Sequence, residues 1–403
     1  MAGWREYTVA DVISAVIDYR GKTPKKLGGE WSDSGYRALS AKNIKMGKIV
    51  QLDSIRYVSE EMYRCWMKEE VQKEDILITS EAPFGQIYYW DSDEKIVLSQ
   101  RLFAVRINEL FYPKYIYFYM TSSFFQAELD GRATGTTVVG LRQPELLKCK
   151  IFAPEYQEQK RIADILWCLE RKVNNNEAIN DNLEQQARAL YQSIIDGASQ
   201  SAVLSDFVSI KHGYAFKGDY ITFESNNVVL VTPGNFKIGG GFQENKCKYF
   251  TSEYPSDYVL CPGDLIVTMT DLSKEADTLG YSALVPDNPE RIYLHNQRIG
   301  LVQFTNSCLP KDYVYWFLRS YDYHMRIVGS ASGSTVKHTS PGRILEQIIP
   351  IPQDREEPKL RLLKDINEVI AQNELESSKL SHMRNIILPR LMSGELDVSS
   401  LDL

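Results

Sequence analysis

The sequence predicts an α+β protein built twice: two pseudo-repeated domains, each followed by a long helix, with the two helices packed on one another. Three observations carry this. First, framework segments recur at about half the chain length. YIYFYM (115–120) matches YVYWFL (313–318), and GTTVVGLRQPELLKCKIFAP (135–154) matches GSTVKHTSPGRILEQIIPIP (333–352), both at an offset of 198. DILIT (75–79) matches DLIVT (264–268) at 189, and SQRL (99–102) matches NQRI (296–299) at 197. The drift in offset means that a shared framework carries loops of different length. Second, each copy opens with short runs rich in Val, Ile, Tyr and Phe, broken by Gly, Pro and Asn, which is the pattern of strands and turns. Third, each copy ends in a long heptad-patterned segment.

In chain order, residues 76–79, 86–90, 96–98 and 102–107 read as strands of the first copy. One helix per copy is expected, around 113–129 and 310–326, opened by a proline near its first turn. The glycine run 239–241 lies between strand-like segments and reads as a hairpin loop. A proline-containing strand then leads into residues 155–196, which lack Gly and Pro, with a counterpart at about 354–393. The first seam runs through Ile162, Leu166, Leu169, Val173, Asn176, Asn180, Leu183, Ala187, Leu190 and Ile194. The second runs through Leu363, Ile366, Ile370, Asn373, Ser377, Leu380, Arg384, Ile387 and Leu391. A stripe this narrow favours a partner helix over a globular face. Pro358 suits a first turn, whereas Pro389 is expected to kink or end the last one. The chain thus divides into 1–154, 155–197, 198–352 and 353–403.

Composition sets the class. The chain has 403 residues, 43% hydrophobic and 25% charged, as expected of a soluble globular protein with two or three domains. No apolar run approaches the ~18 residues of a membrane span, and MAGWREYTVADV lacks a signal-peptide core. The six cysteines show no CxxC spacing, so they read as reduced thiols in a cytoplasmic protein. Net charge is −7. By segment it is +1, −3, −2 and −3, so the acid excess sits mostly in the two helical segments and a local basic groove stays possible. Catalytic signatures are missing: the sequence has no GxxxxGK[ST] loop, no GxSxG elbow and no HExxH helix. Its five histidines show no metal-ligand spacing. No catalytic and no metal-binding residue is expected.

Repeat, helix placement and two helix signatures together are similar to the specificity (S) subunit of type I restriction-modification systems, over essentially the whole chain. PEYQEQKRIADIL (154–166) resembles the family's helix-opening pattern, and LPRLMSGELDV (388–398) its C-terminal signature; PQDREEPKLRLL departs from the pattern at the start of the second helix. The resemblance implies two target-recognition domains and an antiparallel coiled coil between the helices. It implies double-stranded DNA as ligand, read as a bipartite asymmetric site with one half-site per domain. It also implies two modification subunits, which methylate adenine, and ATP-dependent restriction subunits as partners. No cofactor is expected on this chain; S-adenosylmethionine, ATP and Mg belong to the partner subunits. Like frameworks with unlike loops give an independent reason for asymmetric reading, since an identical pair would read a palindrome.

Base- and phosphate-contacting residues are expected on the loops that differ between copies. In the first domain these are Arg20, Lys22, Thr23, Lys25 and Lys26, then Arg37, Lys42 and Asn43, then Ser80, Glu81 and Gln86, and finally Arg132 and Thr136. In the second they are Lys211, Tyr214 and Lys217, Asn235 and Lys237, Thr270 and Asp271, and Ser334, Lys337 and His338. Arg101 and Arg298 recur in both copies and suit phosphate contact or fold support. With helices at 157–195 and 354–392, the midpoints fall at Asn176 and Asn373, which are expected to face each other, exchange side-chain hydrogen bonds and fix the register. Two other readings remain open. One is the specificity subunit of a type IIB-like system, in which cleavage and methylation share one partner chain. The other is a pseudosymmetric scaffold that binds only proteins, which would lack the steep salt dependence of DNA binding.

Overall fold

A computed structural model describes residues 3–134, 139–244, 246–273, 275–333 and 336–398. The chain folds into two compact units, Met1–Val173 with Lys379–Leu403, and Asn174–Ser378.

In the first unit an antiparallel four-stranded sheet has the order Ile13–Asp18, Leu102–Ile107, Ile76–Thr79, Ile87–Tyr89. Ile76–Thr79 is buried along its whole length, which is why it reads as an unbroken apolar run rather than an alternating one. A second sheet orders Arg56–Val58, Tyr36–Leu39 and Ile96–Leu98, the last two parallel. Arg5–Thr8 pairs with Lys150–Ala153.

The second unit repeats this plan. Its four-stranded sheet runs Val208–His212, Ile299–Phe304, Leu265–Thr268, Ser282–Leu284, and Gln200–Val203 pairs with Ile348–Ile351. Its second sheet keeps the parallel pair, Val228–Val231 with Ile292–His295, but has five strands where the first unit has three. The glycine run forms the expected loop: Gly239, Gly240 and Gly241 all have positive φ, between the bridged residues Phe236 and Phe242. A Cβ on Gly240 would fall 2.6 Å from the Arg319 side chain and 2.9 Å from the Ser282 carbonyl.

The single helix expected in each copy is two. In the first unit Pro113–Thr121 ends at Ser122, whose extended backbone starts Ser123–Arg132 and whose hydroxyl accepts a hydrogen bond from the Phe125 amide. In the second unit Ser320 caps Tyr321–Gly329 in the same way, after Lys311–Phe317. A serine N-cap inside a continuous apolar pattern restarts the helix without changing the pattern's period.

The long helices span Tyr156–Asp196 and Glu357–Met392. The second begins three residues later than expected because Asp354–Glu356 forms a 3-10 turn. It also continues past Pro389 to Met392 rather than ending there. Within each unit the two helical segments run antiparallel. In the second, Asn176 bonds Ser377 and Ser193 bonds Lys359. In the first, Glu170 pairs with Arg384, and Ile162 and Leu166 share a core with Leu391. The helices do not pack on each other alone. Trp167 meets the rings of Tyr89, Tyr117 and Phe118, and Tyr191 meets that of Tyr313 at 5.5 Å. The buried stripe is therefore wider than the seam, and each helix segment also completes the core of its unit.

The asparagines meet in an arrangement different from the one expected. Asn176 donates through Nδ2 to the Asn373 main-chain carbonyl, to Glu376 Oε2 at 2.8 Å and to Ser377 Oγ. The side chain of Asn373 instead donates to Asn180 Oδ1 at 2.8 Å, and Asn180 donates to the Ile370 carbonyl. Asn176 and Asn373 are thus neighbours without a side-chain pair, because the closer amide acceptor lies one helical turn along.

Candidate nucleic-acid interface

Strand register gathers most of the candidate residues at one end of each four-stranded sheet. In the first unit Asp18 lies opposite Phe103, and Thr79 opposite Leu102. The loops 19–26, 80–86 and 99–101 therefore leave from the same end. Main-chain bonds tie them together: Ser80 donates to the Arg101 carbonyl at 2.8 Å, Leu141 to Ser80, and Ala41 to Gln100. In the second unit His212 lies opposite Gly300, and Thr268 opposite Ile299. Tyr214 donates to the His295 carbonyl and Met269 to that of Arg298, while Thr270 and Asp271 pair with His338 and Lys337. Corresponding sheet ends thus carry unlike loops.

Many of the cations at these ends are already engaged. Arg20 pairs with Asp18 at 2.6 Å and donates to the Leu141 carbonyl. Lys22 donates to the Trp66 carbonyl at 3.2 Å and lies over the Tyr19 ring. Lys26 donates to the Gly21 carbonyl, and Thr23 caps the 3-10 turn Pro24–Leu27. Arg101, held at φ 62, pairs with Glu81 at 3.2 Å. Lys211 donates to the Asp257 carbonyl and lies over Tyr258. Lys25, Lys42, Lys217 and Arg298 are exposed and make no side-chain hydrogen bond or ion pair among the described residues. With half-exposed Tyr214 and exposed His338, whose Nδ1 lies 3.1 Å from Thr270 Oγ1, they are the groups free to meet a ligand.

Other expected contacts serve the fold instead. Asn43 and Asn235 are buried at equivalent positions, each closing a capping box with Ser40 or Thr232. Asn43 donates to the Val50 and Gln51 carbonyls and to Ser54 Oγ, and Asn235 to the Gln243 carbonyl and Cys247 Sγ. Ser80 and Thr270 are buried, and Gln86 is bonded to the main chain of Met46 and Phe84. Asp271 is 4% exposed and accepts from the Ser273 amide and from the amide and hydroxyl of Thr278. Burial alone would raise its pKa, but those bonds outweigh burial and hold the carboxyl below its ordinary value. Nearby His295 is driven by burial down to about 4, so it stays neutral, with Nε2 donating to the Ile299 carbonyl. Three cations are diverted into ion pairs: Arg37 with Glu94, Arg132 with Glu128 and Glu145, and Lys237 with Glu374 at 2.7 Å. Lys337 is half-buried beside Asp271. Thr136 and Ser334 lie outside the described residues. The sequence reading passed over Leu272, which stands 64% exposed at the sheet end of the second unit. In sequence nothing separates it from Leu279 of the same loop, which is buried. Among the described residues no group of three His, Cys, Asp or Glu could hold a metal ion, and no helix is long and apolar enough to cross a membrane.

The fold is a duplicated one, in which two like frameworks present unlike polar loops at matching sheet ends. Residues 1–185 match the model for the type I restriction modification DNA specificity domain. The chain is similar to the type I restriction enzyme MjaIX specificity subunit of Methanocaldococcus jannaschii, 22% identical over 357 residues, covering 82% of this chain and 79% of that protein. It is 23% identical over 175 residues to the MjaVIII specificity subunit of the same organism, covering 42% of this chain and only 41% of that relative's length. Among solved structures, the type I restriction-modification system S subunit from M. genitalium has the same fold, with a TM-score of 0.61 at 15% identity and 96% of each chain covered.

Proposed function

We propose that this chain is the sequence-specific DNA-binding subunit of a type I restriction-modification complex. Each recognition domain reads one half of a bipartite, asymmetric site on double-stranded DNA. The chain scaffolds two modification subunits and the restriction subunits, and those partners hold S-adenosylmethionine, ATP and Mg. It performs no methyl transfer or cleavage itself. The observation that carries the reading is the one repeated sheet end with different loops in each unit, where exposed Lys25, Lys42, Lys217 and Arg298 offer charge to phosphate while neighbouring polar and aromatic groups differ between the copies.

Exchange of residues 1–154 for a related domain tests it. In cells carrying the exchanged chain and its modification partner, the methylated motif should change in one half-site and keep the other. A motif altered in both halves would sink modular reading. DNA binding that is absent or insensitive to salt would favour a protein-only scaffold.

A further inference from the structure

The loop 269–280 of the second unit holds four apolar side chains. Three are in the core: Met269 is 4% exposed, Ala276 1% and Leu279 0%. Leu272 is 64% exposed. Chain ends and flexible tips expose leucines by chance, but this segment is fastened on both sides of it. The Gly280 amide donates to the Thr268 carbonyl and Thr268 to that of Tyr281, which closes the loop at its base. Thr270 and Asp271 form a ladder with His338 and Lys337. Asp271 turns inward, and its carboxylate takes the Ser273 amide at 2.6 Å, the Thr278 amide at 2.6 Å and the Thr278 hydroxyl at 2.7 Å. The chain buries both Thr270 and Asp271 and leaves the next residue, Leu272, exposed. The Asp271 bonds to Ser273 and Thr278 fasten the chain on the far side of Leu272, so its exposure belongs to a fixed turn.

The surroundings of Leu272 are polar and basic. The strand just before it, Thr270–Asp271, lies against Lys337 and exposed His338, and Met269 is bonded to the main chain of exposed Arg298. The equivalent loop of the first unit also carries an exposed apolar tip, Ala82 and Pro83, beside Arg101. An apolar group among cations at a DNA-facing end can read one feature of the major groove, the C5-methyl of thymine, since the other base edges there present hydrogen-bonding groups.

Building on the DNA-binding reading above, we propose that Leu272 is a specificity-determining residue that contacts a thymine methyl in the half-site read by the second domain, with Asp271 as its positioning residue. The test uses the full chain with its modification partner and fluorescent duplexes bearing the motif found methylated in cells. Each thymine of that half-site is replaced in turn by deoxyuridine, which lacks only the methyl. At one position the parent should lose roughly fourfold in affinity, the worth of about one buried methyl. Leu272→Ala should bind thymine and uracil duplexes equally there while melting like the parent. Asp271→Asn should lower the thymine-to-uracil ratio although it touches no base. The inference is overturned by a half-site without an A·T pair, by a parent indifferent to every uracil, by Leu272→Ala keeping the parent's ratio, or by Asp271→Asn keeping it. Failure to bind any duplex would remove the DNA-binding reading as well. Loss of the methyl effect alone, with tight salt-dependent binding retained, removes only this inference.

Discussion

A lysine and its neighbour can have opposite fates. Lys42 is exposed with no side-chain partner among the described residues, whereas adjacent Asn43 is buried and bonded to two main-chain carbonyls. Substituting each separates fold from contact. Asn43→Ala takes the acceptor from the Ser40 amide and the side-chain donor from the Val50 carbonyl and should cost about 1–3 kcal/mol of stability, read as a lower Tm, while leaving the salt slope of DNA binding intact. Lys25→Ala or Lys217→Ala should leave stability within about 0.5 kcal/mol and lower the salt slope by roughly one. A Lys25→Ala variant that melts early and keeps its slope would place that residue in the fold instead. This scale was the least legible in the sequence. The acceptors of Lys22, Lys26 and Lys211 are main-chain carbonyls, and every residue offers one, so nothing in residue identity marks them. The matching caps at Asn43 and Asn235 were legible in principle, since both follow Ser or Thr by three residues.

At the scale of elements, the polar layer in the helix pair replaces what would otherwise be continuous apolar packing. Asn373 donates to Asn180 Oδ1 at 2.8 Å, so removing Asn180 takes the acceptor from the Asn373 amide and removing Asn373 takes the donor from Asn180 Oδ1. Asn180→Leu and Asn373→Leu should each lower Tm, while the double variant restores an apolar layer and should match or exceed the parent by about 1–2 kcal/mol, as replacement of polar seam residues does elsewhere. Thermal unfolding of the three variants decides this; harmless single substitutions would mean that the bond carries no energy. Strands and long helices were legible because their periods follow from backbone geometry, and the repeat reported each of them twice. The restart at Ser122 and Ser320 was hidden because a cap interrupts hydrogen bonding without interrupting hydrophobicity. The wider buried stripe was hidden because Trp167 and Tyr191 lie off the seam, and only the fold supplies their neighbours.

For the whole molecule, both long helices pass from one unit into the other, Tyr156–Asp196 across the Val173/Asn174 boundary and Glu357–Met392 across Ser378/Lys379. If they set the distance between half-sites, inserting four residues near position 176 and four near 373 adds ~6 Å to each helix. The unread spacer of the methylated motif should then grow by roughly one or two base pairs at ~3.4 Å each, with both half-sites unchanged. A mutant that methylates the original spacing would free the helices of that role. The division into units was only partly legible: the repeat separates the two frameworks, but where the long helices divide depends on packing partners far away in sequence.

Leu391, Met392 and Val398 are buried in the same core as Val9, Phe103 and Ile162, whereas the other unit is one uninterrupted stretch, Asn174–Ser378. Synthesis runs from the amino end, so the stretch 174–378 leaves the ribosome with all its own packing partners while the earlier residues still wait for theirs. The half of the protein that is made first is the half completed last, and until residues 379–398 emerge it carries an open apolar face of the kind that chaperones hold.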